Sequence, residues 1–391
     1  MSGRRTTRRD VAAWVAVLSL VGATPAHAGH ALVDLLDTEV LEQVEPNAVV
    51  APDRTLDLLL VEVVRERVAA AALGYGTSVP VVVVGGDPGP SLAAYARLGA
   101  GELLQLVLLA RSRSAVATLA TAVGPGWERA RLRMRRAAAR LELRGTTVPN
   151  EWPGEQRDGG AARDATIGAG RKVFTAPATS VRRAPDARTT LGDVARLAAA
   201  VAGDGEMRRR LALDGAPIAD GAVIVRATDP LIARMAAPTP PVPARAGAVG
   251  GDAQTAIAIG EHDGLALLAV ATGPEAARDV WQVLQRGLTR YRRVEVVRTG
   301  QSVGGDVEAR DGVVAHVTAV AAQSFALTVP SSGAFALRAW LQLPQSDETP
   351  LEPNQPMGEL VFEQAGRIIA AVPLVAPAPS GPSRWLDTAS R

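Results

Sequence analysis

The chain has 391 residues, 47% of them hydrophobic, with 42 Lys and Arg against 40 Asp and Glu and no cysteine. The absence of cysteine excludes disulfides and cysteine-based zinc sites, so stability must come from core burial, which a chain of this size supplies. Balanced charge argues for no nucleic-acid partner, and there is no long charge block to suggest an interaction tail.

Residues 1–28 read as a secretory signal peptide. Arg4, Arg5, Arg8 and Arg9 form a basic start, Val11–Ala23 is an apolar run too short to span a bilayer, and Ala26-His27-Ala28 is an A-x-A cleavage site. Thr7-Arg8-Arg9-Asp10-Val11 also fits a twin-arginine signal. Cleavage before Gly29 removes four arginines and Asp10, leaving 38 basic and 39 acidic residues.

The remaining chain predicts a mixture of helices and strands. His30–Asn47 reads as a strand, a turn near Asp37 and a second strand over Val40–Gln43. In Ala51–Leu73 the residues Leu56, Leu59, Leu60 and Val63 recur on one helical face, with Pro52 and Asp53 at the start. Ser78–Val84 predicts a strand, closed by the Gly85–Gly89 turn, which lacks the Lys and Ser/Thr of a phosphate loop. Leu98–Val123 predicts two helices, and Trp127–Leu143 an Arg-rich amphipathic helix with Leu132, Ala139 and Leu143 on one face. Glu155–Ala187 predicts a loop insertion. A helix follows to Ala202, with Thr190 as N-cap and Asp193 at its third position. Strands are expected at Val223–Ala227, Thr255–Gly260 and Leu265–Thr272, then a helix over Pro274–Tyr291. Short alternating segments from Val294 to Ala376 predict a small all-β unit, and 377–391 a polar tail.

Several of these segments together resemble the serine D-alanyl-D-alanine carboxypeptidases, the low-molecular-mass penicillin-binding proteins. Ala51–Leu56 stands where that family has Pro-Ala-Ser-Leu-Thr-Lys. Leu108–Ala115 is similar to Leu-Ser-Gly-Asn-Asp-Ala. Met134–Gly154 resembles a longer helix-loop-turn motif, keeping its Leu, Thr, Asn and Gly. Thr189–Ala195 resembles Ser-Thr-Ala-x-Asp-Met-Ala, and Gln355–Ala376 the family's small carboxy-terminal β domain. The resemblance implies an α/β penicillin-binding/β-lactamase-like domain over 29–290, an antiparallel sheet flanked by helices. A small all-β sandwich is implied over 294–376. It also implies an exported, periplasmic protein of peptidoglycan metabolism.

The catalytic motifs are where the resemblance fails. Asp53 and Leu56 stand at the Ser and Lys positions, Arg111, Ser112 and Arg113 replace Ser-Gly-Asn, and Arg245, Ala246 and Gly247 replace Lys-Thr-Gly. Counting residues gives the same result without alignment. Lys172 is the only lysine, and Ala169 lies three residues before it, so no Ser-x-x-Lys dyad exists. Arginine cannot serve as the base, because it does not deprotonate in proteins. No Gly-x-Ser-x-Gly elbow occurs, and His30, His262 and His316 are too dispersed for a triad or a metal. The expectation is a pseudoenzyme without cofactor or metal, the alternative an active carboxypeptidase or peptidoglycan hydrolase with a rebuilt site. Arg111, Arg113 and Arg245 are the candidates to hold a stem-peptide carboxylate, with internal pairing of Asp53 to Arg113 or Arg245 as the competing expectation. A cell-wall protein is the other expected partner, and a membrane only through an uncleaved signal.

Overall fold

The computed structural model describes residues 29–377 except 51, 86, 88–89, 125, 151–162, 168–170, 176–186, 214, 227–244, 249–254, 309–313, 333–334 and 343–351. Side chains at 53, 54, 163–167, 171–175, 245–248, 305–308 and 314–317 also lie outside the description. The signal segment 1–28 and the tail from 378 are outside it too.

The chain opens with β1 (His30–Asp34) and β2 (Val40–Val44), followed by β3 (Val49–Val50) and α1 (Asp53–Ala69). β4 (Ser78–Pro80) and β5 (Arg97–Gly99) precede α2 (Ala100–Ala110), α3 (Arg113–Val123) and α4 (Trp127–Arg140). β6 (Arg163–Ile167), β7 (Arg171–Thr175) and β8 (Thr189–Thr190) lead into α5 (Leu191–Gly203) and α6 (Gly205–Leu211). β9 (Gly215–Ile218), β10 (Val223–Arg226), β11 (Arg245–Ala248), β12 (Thr255–His262), β13 (Leu265–Thr272) and α7 (Ala276–Arg290) complete this part.

Its centre is an antiparallel five-stranded sheet in the order β11-β12-β13-β1-β2. β13 is buried along its whole length, as a strand covered on both faces must be. Leu265, Leu267, Ala269 and Ala271 face α7 through Val280, Leu284 and Leu288. The alternate residues Leu268 and Val270 join the larger core of α1, α2, α3 and α5. Gly287 permits the close docking of α7, since a Cβ there would meet Leu32 Cδ2 at 2.7 Å. Between β12 and β13, Asp263 and Gly264 both take positive φ, 47° and 78°, which matches the twist of a two-residue hairpin.

α1 is the central helix of the larger core. Leu56, Leu58, Leu59, Leu60, Val61, Val63 and Val64 are all buried, so its apolar surface extends beyond the single expected face. Neighbouring helices pack around it, which the one-face pattern does not specify.

The carboxy-terminal part holds β14 (Tyr291–Val297), β15 (Ser302–Glu308), β16 (Val314–Ala321), β17 (Phe325–Pro330), β18 (Arg338–Gln342), β19 (Pro356–Gln364) and β20 (Arg367–Val375). β14 pairs with β17, and the other five form a sheet in the order β15-β16-β20-β19-β18. Val297, Leu360, Phe362, Val372 and Leu374 fill the space between them, with Phe325 against Phe362 at 4.9 Å between ring centroids. Arg293 of β14 pairs with Asp34, at 3.2 Å, and with Asp37, while Thr328 of β17 also donates to the buried Asp34. The β1–β2 turn is thereby tied to the carboxy-terminal strands.

Three local expectations need correction. The strand expected over Ser78–Val84 ends at Pro80, because the amides of Val82 and Val84 bond to hydroxyls on α3 instead of a ladder. α4 ends at Arg140 and turns Ala130, Met134, Ala137 and Ala138 inward, leaving Leu132 49% exposed. The expected loop insertion contains the β6–β7 hairpin, and β7 pairs in parallel with β10.

Candidate functional site

The junction between α2 and α3 carries two of the three candidate arginines. α2 stops because Arg111 adopts a left-handed conformation at φ 54° and ψ 33°. Ser112 is then extended and caps α3, accepting a hydrogen bond from the Ala115 amide at 3.1 Å. A second cap comes from Asp87. Its carboxylate accepts hydrogen bonds from Ser112 Oγ and from the amides of Arg113 and Ser114, each at 2.8 Å. A negative group at the positive end of α3 is electrostatically favoured.

The chain before Asp87 is laid along the same helix. Val82 donates its amide to Thr118 Oγ1 at 2.9 Å, and Val84 donates to Ser114 Oγ at 3.0 Å. Thr118 in turn donates to the Ser114 carbonyl at 2.6 Å. Ser112, Ser114 and Thr118 are all buried, so these hydroxyls stitch a loop to a helix away from solvent. Ser112, the serine of this junction, has its hydroxyl engaged as donor to a carboxylate and acceptor from an amide. That arrangement makes a structural cap, in which the Asp87 carboxylate is shared between the hydroxyl and the amides of Arg113 and Ser114.

At the start of α1, Pro52 is the N-cap residue and makes no side-chain cap, and the Leu56 amide bonds to its carbonyl at 2.9 Å. Asp53 is the first helical residue, and its side chain lies outside the described residues. Leu56 is 5% exposed and belongs to the main core. Nearly two turns further in sits a charge that the sequence pattern does not reveal. Glu62 is fully buried, its carboxylate held by Arg65 Nε at 2.7 Å and by Arg140 of α4 at 2.8 Å. The Glu62 hydrogen bond holds the Arg65 guanidinium above its usual range, against desolvation.

Arg245, Ala246 and Gly247 lie on β11, the edge strand, opposite Glu261, Gly260 and Ile259 of β12. Their side chains are outside the described residues. Glu261 is paired by Arg208 of α6 at 2.8 Å. The structure thus brings Arg111 and Arg113 together at one junction, places Leu56 in the core, and locates Asp53, Arg245 and Ala246 by backbone.

The remaining candidates for chemistry are separated. His30 pairs with Ala271 and His262 with Leu265, which puts them roughly 20 Å apart along β13. Burial lowers the His30 pKa from its ordinary 6.5, Arg286 lowers it further, and Glu42 and Asp279 oppose the shift. His262 lies 3.3 Å from Asp263 in its own turn. The side chains of His316 and Lys172 are outside the described residues.

The motif over Met134–Gly154 has a structural use. Thr146 Oγ1 donates to Asp193 at 2.8 Å, and the Gly145 amide donates to the same carboxylate oxygen at 2.7 Å. Asn150 accepts from Arg131 and, at 3.1 Å, from Arg135, closing the loop back onto α4. Asp193 therefore reaches the preceding turn, while Thr190 caps α5 at 3.3 Å as expected. The missed residues are Asp87 and Glu62. Their only sequence signals are an Asp in a Gly/Pro turn and a Glu three residues before an Arg.

Comparison with known proteins accounts for this architecture. Residues 291–378 match the family model of the penicillin-binding protein 5 C-terminal domain. Penicillin-binding protein 5 from Haemophilus influenzae is similar in structure at 14% identity, with TM-score 0.57, covering 89% of this chain and 96% of that one. The D-alanyl-D-alanine carboxypeptidase DacD from Francisella tularensis gives 15% identity and TM-score 0.55 over 95% and 96%. A peptidoglycan synthesis regulatory factor (PBP3) from Streptococcus pneumoniae gives 16% and 0.62 over 90% and 99%. No curated protein sequence matches the chain. The fold class is that of the penicillin-binding proteins, an α/β domain followed by a C-terminal β domain. More particularly, the chain is D-alanyl-D-alanine carboxypeptidase-like in fold, as its sequence segments imply.

Proposed function

We propose that this chain is an exported, catalytically inactive member of the carboxypeptidase fold, with a binding or scaffolding role in periplasmic peptidoglycan metabolism. The observation that carries the reading is the lysine count. A chain whose only lysine is Lys172, with Ala169 three residues earlier, cannot assemble a Ser-x-x-Lys nucleophile. Two features of the fold support it: Leu56 is packed in the core, and Ser112 is committed to capping α3 with Asp87. The partner is a stem peptide held by Arg111, Arg113 and Arg245, or a cell-wall protein.

Labelling with a fluorescent penicillin tests the reading. No covalent adduct is expected on the folded protein, and a labelled serine overturns inactivity in favour of a rebuilt site. Titration with a D-Ala-D-Ala stem peptide separates the partners. Binding that is lost in Arg113→Ala or Arg245→Ala marks a peptide sensor, whereas no binding marks a protein scaffold. Export is checked by sequencing the amino terminus of the periplasmic form, with Gly29 expected first.

A further inference from the structure

We propose that the outward side of α4 is a docking surface for an anionic phospholipid bilayer. This goes beyond the function above and beyond any anchoring by the signal segment. α4 carries Arg129, Arg131, Arg133, Arg135, Arg136 and Arg140 against a single acid, Glu128, in 14 residues. The chain as a whole has a formal net charge of only +2, so this helix is a local concentration of positive charge.

Its arginines divide into two sets. Arg131 and Arg135 bond to Asn150, and Arg140 pairs with Glu62 and Glu66, so these three fasten the helix to the domain. Arg129, Arg133 and Arg136 have no hydrogen bond or ion pair with another described residue. They recur at i, i+4 and i+7 and share one side of the helix, with Arg129 and Arg136 exposed and Arg133 half-buried. Leu132 lies beside them and is 49% exposed. Another side, Ala130, Met134, Ala137 and Ala138, is buried, so the arginine stripe runs along the flank of the helix beside its exposed Leu132.

The chemistry of the surface selects a phosphate-bearing partner, since guanidinium groups bind phosphate oxygens as a fork. Its shape selects a bilayer. The stripe lies along the outside of a helix, and an anionic bilayer needs only a row of charge, with an exposed leucine entering the headgroup zone. Among the described residues, the acids on or next to the helix are Glu128 within it, Glu142 just beyond it and the Arg140 partner Glu66. Arg196 extends the positive side, donating to the Glu142 carbonyl at 3.1 Å.

Vesicle co-sedimentation of the chain from Gly29 onward, which holds every described element, tests the proposal. Binding is expected to vesicles of phosphatidylcholine mixed with phosphatidylglycerol, to be weak on phosphatidylcholine alone, and to be released by salt. Each arginine at an anionic surface is worth about fivefold, so R129Q/R133Q/R136Q should weaken partitioning roughly a hundredfold. A control, R278Q/R292Q/R338Q, removes the same charge from scattered exposed positions and should retain most of the binding. Circular dichroism on both variants verifies folding. Failure to bind mixed vesicles, equal binding to phosphatidylcholine, or equal loss in the control overturns the proposal. Binding to soluble polyphosphate but not to vesicles also overturns it, and assigns the stripe to a soluble polyanion.

Discussion

The starts of α3 and α5 are alike in sequence and different in construction. Each has a hydroxyl residue at the N-cap, Ser112 and Thr190, and each cap accepts from the amide three residues on. At α5 the acid belongs to the helix: Asp193 reaches out to hold Gly145 and Thr146. At α3 the acid arrives from outside: Asp87, 25 residues before Ser112, closes the helix start from a Gly-rich turn. The local cap can be read from a few adjacent residues, whereas the distant carboxylate exists only once the loop is laid along the helix. The difference also bears on function, because the α2–α3 junction is where the resemblance puts a catalytic serine and asparagine. In this chain the junction is satisfied from within.

Four measurements can break or sharpen that contrast. The largest effect is expected where a distant partner meets a fully buried charge. Glu62→Ala leaves the inner side of the α1–α4 contact without its carboxylate, and should lower unfolding free energy by about 3–5 kcal/mol. A loss no larger than that of a surface pair, measured by urea denaturation, would show that Arg65 and Arg140 rehydrate freely. Asp87→Ala should come next, at about 2–3 kcal/mol, because it orphans two helix amides and the Ser112 hydroxyl. Hydrogen exchange should quicken first at Arg113, Ser114 and Val84, and uniform exchange would contradict a local clasp.

Thr190→Ala removes only the local cap and should cost about 1 kcal/mol. If it equals or exceeds Asp87→Ala, the distinction between the two helix starts is wrong. The smallest effect is a pH dependence from His30. Its folded pKa lies below 6.5, so the unfolded chain takes up a proton before the folded one does. Stability is fully present above 6.5 and declines as pH falls from there through the depressed folded value. His30→Gln should flatten that window in thermal melts recorded across it, and an unchanged slope would assign it to another group.

Much of the scaffold was legible in the sequence. The β1–β2 hairpin, the paired strands Thr255–His262 and Leu265–Thr272, helix α7 and the all-β character of the carboxy-terminal part follow from alternation, helical spacing and turn residues. The helix expected to end at Tyr291 ends at Arg290, and β14 begins at Tyr291 without a break. The segment Val81–Val84 looked like strand because four valines favour extended backbone. Its amides turned to side-chain hydroxyls because α3 lies against it. On α4 the apolar face drawn through Leu132 and Leu143 holds only at Leu143, because alanines form the contact with the core and leave the larger Leu132 outside.

The candidate site was legible as a set of absences and opaque as a geometry. One lysine without a serine three residues before it is a fact of the chain that no folding can alter. The sequence by itself therefore determined the absence of a Ser-x-x-Lys dyad, the order of elements and the caps made within a single helical turn, because each depends on neighbours along the chain. Only the tertiary structure decided that Asp87 closes α3, that Glu62 bridges α1 to α4, and that Arg129 and Arg136 are exposed beside a half-buried Arg133. Those outcomes depend on which surfaces meet across long separations, where a charge's partner is chosen by packing and not by spacing.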